Sequence, residues 1–253
     1  MIYVTGDMHG DAARLEAPAV RRLKKGDTLL VCGDFGFIWD GSAAEQKRLA
    51  RIGKQKYTIA FLDGRHENFD LLAQYPVTEW NGGRAQVIND RLVHLLRGEI
   101  YQIEGKTFFA FGGGESEDRE FRVPGKSWWA EEMPSPEEML HAREVLAAHG
   151  NSVDYVLTHV PSRKVSLRLA PHSGADGVSL FLGGLEDTVR CKKWFFGSLH
   201  LDRAITTQRV SVFEHVLPVD PPYTSVSPFD PIHAPSSRTA VRSDESLPVL
   251  APK

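Results

Sequence analysis

Three apolar runs, residues 2–5, 28–32 and 57–62, each end in a glycine-containing polar loop, and helical patterns lie between them. This alternation constrains the fold of the 253-residue chain more than any other feature. Short runs rich in β-branched, leucine and aromatic residues read as strands, and an uninterrupted apolar strand is one covered on both faces. Between the first two runs, residues 14–24 place Leu15, Ala19 and Leu23 at helical spacing, with Asp11 as an N-cap. Residues 43–52 read as a second, more polar helix. A β-loop-α order repeated in this way implies parallel strands with right-handed crossovers. Such sheets gather their ligands at the carboxyl ends of the strands.

The second half reads differently. Residues 84–88, 92–96, 99–103 and 106–111 are short runs separated by turn residues, which predicts an antiparallel meander forming a second sheet. Ser135 and Pro136 open a helix reaching about His149. Residues 153–158 predict a strand, 178–192 a helix weakened by Gly183 and Gly184, and 193–196 another strand. Residues 204–206 and 209–214 predict a closing hairpin. The fold class expected is therefore α/β. After residue 216 the periodicity stops, and eight of the fifteen prolines follow. We expect a globular domain over 1–216 and an extended or disordered proline-rich tail over 217–253.

Composition excludes some functions. The net charge of -3 and pI near 6.4 give no global basic field for nucleic acid or an anionic membrane. No apolar run approaches the ~18 residues of a membrane span, and Asp7 interrupts any signal-peptide core. Cys32 and Cys191 have no CxxC partner and read as thiols in a reducing cytoplasm.

Five expected strand ends carry polar groups: Asp7 with His9, then Asp34, His66, His159 and His200. Singly, each has a plain reading as a turn cap or an exposed imidazole. Together, four histidines and two aspartates at strand carboxyl ends are hard to account for by packing. Carboxylate-plus-imidazole sets suit a divalent transition metal, Mn, Fe or Zn. Asp7 and His9, two residues apart on one loop, can reach the same ion.

The motifs, in order, are Asp7-x-His9, Gly33-Asp34, Gly64-x-His66-Glu67, Thr158-His159 and Gly197-x-x-His200. This series, over about residues 1–214, resembles the calcineurin-like metallophosphoesterases. The resemblance implies a four-layer α/β/β/α sandwich of two mixed sheets flanked by helices. It implies two metals sharing Asp34, the first also held by Asp7, His9 and His200, the second by His159. It further implies that His66 protonates the leaving group. The chain departs from the pattern at Arg65, where an asparagine ligand is expected, and at Ser198, where a histidine is expected.

Both departures weaken the second metal. A unit charge pair 4 Å apart is worth about 4 kcal/mol at an effective dielectric of 20, and roughly twice that against a divalent ion. Arg65 would repel the second ion by this much, so we expect one fully liganded metal, with Arg65 clamping a phosphoryl oxygen. The other reading has Arg65 pointing to solvent. On the loop after Gly112–Gly114, Arg119 and Trp128 are candidate substrate-binding residues, with the Trp128-Trp129 pair either stacking on a base or packed on the sheet. Asp40 and Asn68 flank the motifs as candidate partners of the ligands, and His172 is a candidate late ligand. The expected function is metal-dependent hydrolysis of a phosphate mono- or diester on a small phosphorylated substrate. The competing function is a metal- or phosphate-binding module of the same fold with weakened or lost catalysis. Neither a membrane nor a nucleic acid is an expected partner.

Overall fold

Every residue of the run 28–31 is buried, as an apolar strand covered on two faces requires. The computed structural model describes residues 1–171 and 176–220. One sheet holds β1 (Ile2–Thr5), β2 (Thr28–Val31), β3 (Thr58–Phe61), β4 (Val77–Trp80), β5 (Gly83–Asn89), β6 (Leu92–Leu95) and β13 (Leu217–Pro218). The other holds β7 (Glu99–Ile103), β8 (Lys106–Phe111), β9 (Tyr155–Thr158), β10 (Lys193–Phe196), β11 (Arg203–Ala204) and β12 (Arg209–Ser211). Each sheet has a parallel centre: β1-β2-β3-β6 in the first and β8-β9-β10-β12 in the second. Antiparallel strands flank both centres, so both sheets are mixed.

The helices are α1 (Ala12–Glu16), α2 (Pro18–Arg21), α3 (Ala43–Ile52), α4 (Phe69–Leu72), α5 (Pro136–Ala148), α6 (Arg163–Leu169) and α7 (Gly177–Glu186). Val20, Leu49 and Ile52 join Leu29, Val31, Ile59 and Phe61 in one core. Ala142, Leu146, Val165, Phe181 and Leu185 join Phe109, Phe111, Val156 and Trp194 in another. The intervening residues Leu30, Ala60, Phe108, Ala110 and Leu157 are equally buried but belong to neither helix-facing core. The period-two alternation thus gives each sheet one helix-facing side and a second buried side. This is the four-layer α/β/β/α architecture, two mixed sheets flanked by helices.

Several expectations need correction. The meander over 84–111 is split between the sheets. β6 is buried along its whole length, the mark of a central strand, and it pairs in parallel with β3. The chain crosses to the other sheet at Leu96-Arg97-Gly98, where Gly98 takes a φ of +81°. The helix expected over 14–24 breaks at Pro18, which forces Ala17 to an extended ψ of 142°. The helix expected over 178–192 stops at Glu186, and its glycines do not break it: Gly183 packs closely on Arg163 of α6.

Leu217 and Pro218 pair with β1 as an edge strand, and the described chain up to Asp220 lies in one compact unit. The rest of the proline-rich stretch and His172 lie outside the described residues. Cys32 is buried, Cys191 is half-buried, and neither forms a disulfide. Among the described residues no helix is long and apolar enough to cross a membrane.

Candidate metal centre

The carboxyl ends of the two parallel centres supply the site. From the first sheet, the loop after β1 carries Asp7 and His9, that after β2 carries Asp34, and that after β3 carries Arg65, His66 and Glu67. From the second sheet, His159 follows β9, and Ser198 and His200 follow β10. Backbone bonds sew the first loops together. The N–H groups of Met8 and His9 both donate to the Asp34 carbonyl, at 2.9 and 2.8 Å. Glu67 accepts from the N–H groups of Phe35 (2.7 Å) and Gly36 (3.3 Å).

Of the seven non-glycine residues with positive φ among the described residues, four are here: His9, Asp34, Ser198 and His200. Sparsely populated backbone conformations persist only where surrounding contacts enforce them, and they concentrate at functional sites. Two glycines make room for the same groups. A Cβ on Gly33 would overlap the His159 imidazole, and one on Gly64 would overlap the Asp34 carboxylate.

The donor atoms converge. Three overlapping sets, Asp7/His9/His200, His9/Asp34/His66 and Asp7/Asp34/His159, each hold their ligand atoms within 4.8 Å of one another. His9 Nε2 lies 2.9 Å from His200 Nε2, which is 3.1 Å from Asp7 Oδ2. His159 Nε2 is 3.4 Å from Asp34 Oδ1. It is completely buried and, among the described residues, has no hydrogen-bond partner. A buried nitrogen left unpaired beside a carboxylate is costly unless a further ligand sits there. Buried carboxylates, convergent imidazoles and this orphaned nitrogen fit a divalent metal ion.

The electrostatics agree. Burial opposes the charge of Asp34, but the imidazoles of His159 and His66 and the His66 N–H outweigh it, holding the carboxyl down at about 2. Burial lowers the pKa of His9 and of His66, favouring neutral imidazole, the form that ligates. A hydrogen bond to Asp7 raises that of His200. Burial, with Asp34 nearby, pushes Glu67 well above the usual carboxylate range.

A cleft of about 310 Å³ opens on this cluster, bordered by His9, Asp34, Arg65, His66, Arg122 and Ser198 among others. Arg65 is half-buried and borders this cleft. Its N–H donates to Asp34, and its Nη1 lies 3.4 Å from the Glu115 carbonyl. The N–H of Ser198 donates to both oxygens of Asp7, at 3.0 and 3.1 Å.

The substrate-loop candidates fall elsewhere. Arg119 pairs at the surface with Glu115, and Trp128 donates its indole N–H to Glu132; neither borders this cleft. Arg122 does, held by Asp118 at 2.7 Å. Nothing in the sequence separates Arg122 from Arg119, three residues away. Asp40 bonds the Ser42 N–H and Asn68 caps α4, so neither touches a ligand side chain. Gly112 and Gly114 pack on Asp63 and on Val160 with His159, a packing role for that glycine run.

Back-to-back sheets presenting carboxylates and imidazoles from parallel strand ends define a metal-dependent hydrolase architecture. The chain belongs to the calcineurin-like phosphoesterase family, whose model matches residues 1–197. Membership carries the family's general chemistry, metal-dependent hydrolysis of phosphoesters. No curated protein matches the chain. Among solved structures it is similar to a phosphopantetheinyl hydrolase from Mycobacterium tuberculosis, at 15% identity over 84% of this chain and 89% of that one, with a TM-score of 0.36.

Proposed function

We propose that the protein hydrolyses a phosphate mono- or diester of a small substrate, with one fully liganded divalent metal held by Asp7, His9, Asp34 and His200. The observation that carries the reading is the convergence of these donors, in overlapping sets, beside a cleft bordered by Arg65 and Arg122. A bound divalent ion would supply Lewis acidity, lowering the pKa of a water and offsetting phosphoryl charge.

The chain's own residues do the rest. Arg65 and Arg122 hold the phosphoryl oxygens and balance the charge that builds on them. Water's oxygen bonds to phosphorus as the bond to the leaving oxygen breaks. His66 delivers a proton to that oxygen, and the proton lost by water replaces it in the cycle. Burial lowers the pKa of His66 in the free protein, and the negative charge of a bound phosphate acts the other way. His159 and Asp34 remain as a partial second set. Arg65 and Ser198 leave that set two ligands short of the family pattern and favour a second reading, a phosphate-binding module without turnover.

Generic phosphate monoesters and diesters, assayed with added Mn²⁺ and with chelator, separate the two. Turnover that appears with Mn²⁺ and disappears with chelator supports the hydrolase. Metal retention and phosphate binding without turnover support the module.

A further inference from the structure

A second cleft, of about 280 Å³, lies beside the first and shares His9 and His66 with it. Trp39, Asp40 and Arg48 border it, along with Gly10 and Gly36. We propose that this cleft binds a planar heteroaromatic group of the nucleobase type, carried on the leaving side of the phosphoester. The assignment of a leaving side rests on the hydrolase reading above. His66 stands between the clefts, so a group leaving past it from the phosphoryl held by Arg65 and Arg122 enters the Trp39 cleft.

Trp39 is built as a platform. Its N–H donates to Glu45 at 2.7 Å, and its carbonyl accepts from Asn68 at 2.7 Å. Its ring meets the buried Trp129 at 5.5 Å and 79°, and Trp129 is itself fixed by a 2.8 Å bond to Asp70. The contact is perpendicular, and among the described residues no ring is stacked on the half-buried indole. A pre-set, unstacked indole suits a flat π-system, and stacking of this kind tolerates any base.

The polar groups suit a base better than a second phosphate. Arg48 is half-buried and weakly engaged, with Nη1 3.4 Å from the Gly10 carbonyl and the guanidinium 5.9 Å from the Phe37 ring. No carboxylate among the described residues pairs with it within 4.0 Å. Its N–H donors, which among the described residues make only the Gly10 contact, match ring nitrogen and carbonyl acceptors, and the exposed Asp40 carboxylate matches an amino group or sugar hydroxyls. Glu45 also lines the cleft, already satisfied by the N–H groups of Trp39, Asp40 and Gly41. One guanidinium beside two carboxylates gives no net positive field for a polyphosphate. The volume lies just below the usual range for small-ligand pockets, enough for one base and too small for a macromolecular segment.

The test compares adenosine 5′-monophosphate with ribose 5-phosphate, which share the same leaving oxygen chemistry and differ by the base. Binding is measured on the Mn²⁺-loaded His66→Asn variant and kcat/KM on the Mn²⁺-loaded parent protein. Stacking on an aromatic side chain corresponds to roughly 5- to 150-fold in affinity. A preference of that size for the nucleotide is expected in both measurements. Trp39→Ala should remove it while leaving ribose 5-phosphate within about twofold, and Trp39→Phe should keep most of it. Equal affinity and equal kcat/KM for the two ligands, or a preference that survives Trp39→Ala, would overturn the proposal while leaving the hydrolase reading standing. A Trp39-dependent binding preference with no turnover of any ester would keep the cleft and remove the hydrolase reading. Failure to bind either ligand overturns the cleft assignment.

Discussion

His66 shows how much one residue's surroundings decide. Its Nε2 sits 4.0 Å from Asp34 Oδ2, and its ring stands edge-on to His9 at 5.0 Å, so it borders the donor cluster on the side shared by both clefts. Replacing it with asparagine should lower kcat by about 10²- to 10⁴-fold, the usual contribution of a positioned acid, with metal content per chain unchanged. A parallel fall in bound metal would make it a ligand instead. Arg65 and Ser198 carry the second residue-level prediction. Arg65→Asn combined with Ser198→His should raise the metal content from one ion towards two, read by elemental analysis. No gain would mean that these departures are not what limits the second site. Asp7, His9, Asp34, His66, His159 and His200 could all be read from the sequence, because each directly follows an apolar strand. Arg122 and Trp39 could not. Their roles depend on where a loop returns in space, and no periodicity encodes that.

The elements explain why the loops hold their places. β2 and β3 could be assigned because their apolar runs are unbroken and flanked by glycine. The expected meander puts β5 and β6 in the second sheet, whereas both belong to the first: short runs joined by turns look alike in either sheet, and the fully buried β6 offers no alternation to choose its partner. The loop glycines are a further constraint, visible only once neighbours are known. Gly33 has φ +90° and no room for a Cβ against His159. Gly33→Ala should therefore push the His159 ring against Asp34, a ligand 3.4 Å from its Nε2, and weaken metal binding while far-UV circular dichroism stays unchanged. Unaltered metal affinity would show that His159 and Gly33 are independent of the centre. Pro18 adds a smaller lesson: helical spacing of Leu15, Ala19 and Leu23 could not by itself reveal two short helices joined at a proline.

In the whole domain, two devices join the sheets at the site. One is the buried Arg97, which bonds Asp63 (Nε to Oδ2, 2.9 Å), Glu138 (3.1 Å) and the Glu131 carbonyl (2.7 Å). Asp63 lies just after β3, on the loop that leads into Arg65 and His66, and its carbonyl accepts from the N–H of Gly113 after β8. Burial opposes the Asp63 charge, but Arg97 and His94 outweigh it and hold the carboxyl far below its ordinary range. A depressed folded pKa stabilises above the unfolded value near 3.9 and loses its effect only as pH falls through the folded value. At pH 7 the contribution is therefore complete. Arg97→Met, which strands a buried carboxylate, should cost about 3–5 kcal/mol at pH 7 by urea denaturation. The cost should shrink towards pH 4, as the stranded carboxyl protonates in the variant. A cost that does not change with pH would mean that packing, not charge, sets the effect.

The other device is the ion itself. Asp7, His9 and Asp34 come from the first sheet and His200 from the second, so a bound ion ties the two together. Free metal at 100 times its dissociation constant should add about 2.7 kcal/mol. For a domain of this size that is several degrees in Tm, at about 2–4 °C per kcal/mol. Asp34→Asn should abolish the shift.

Metal per chain, measured by elemental analysis after loading with Mn²⁺ and removal of unbound ions, tests the centre most directly. The account predicts one retained ion in the parent protein and none in Asp34→Asn. Two tightly held ions would contradict the reading of Arg65 and Ser198, and retention of none would contradict the centre altogether.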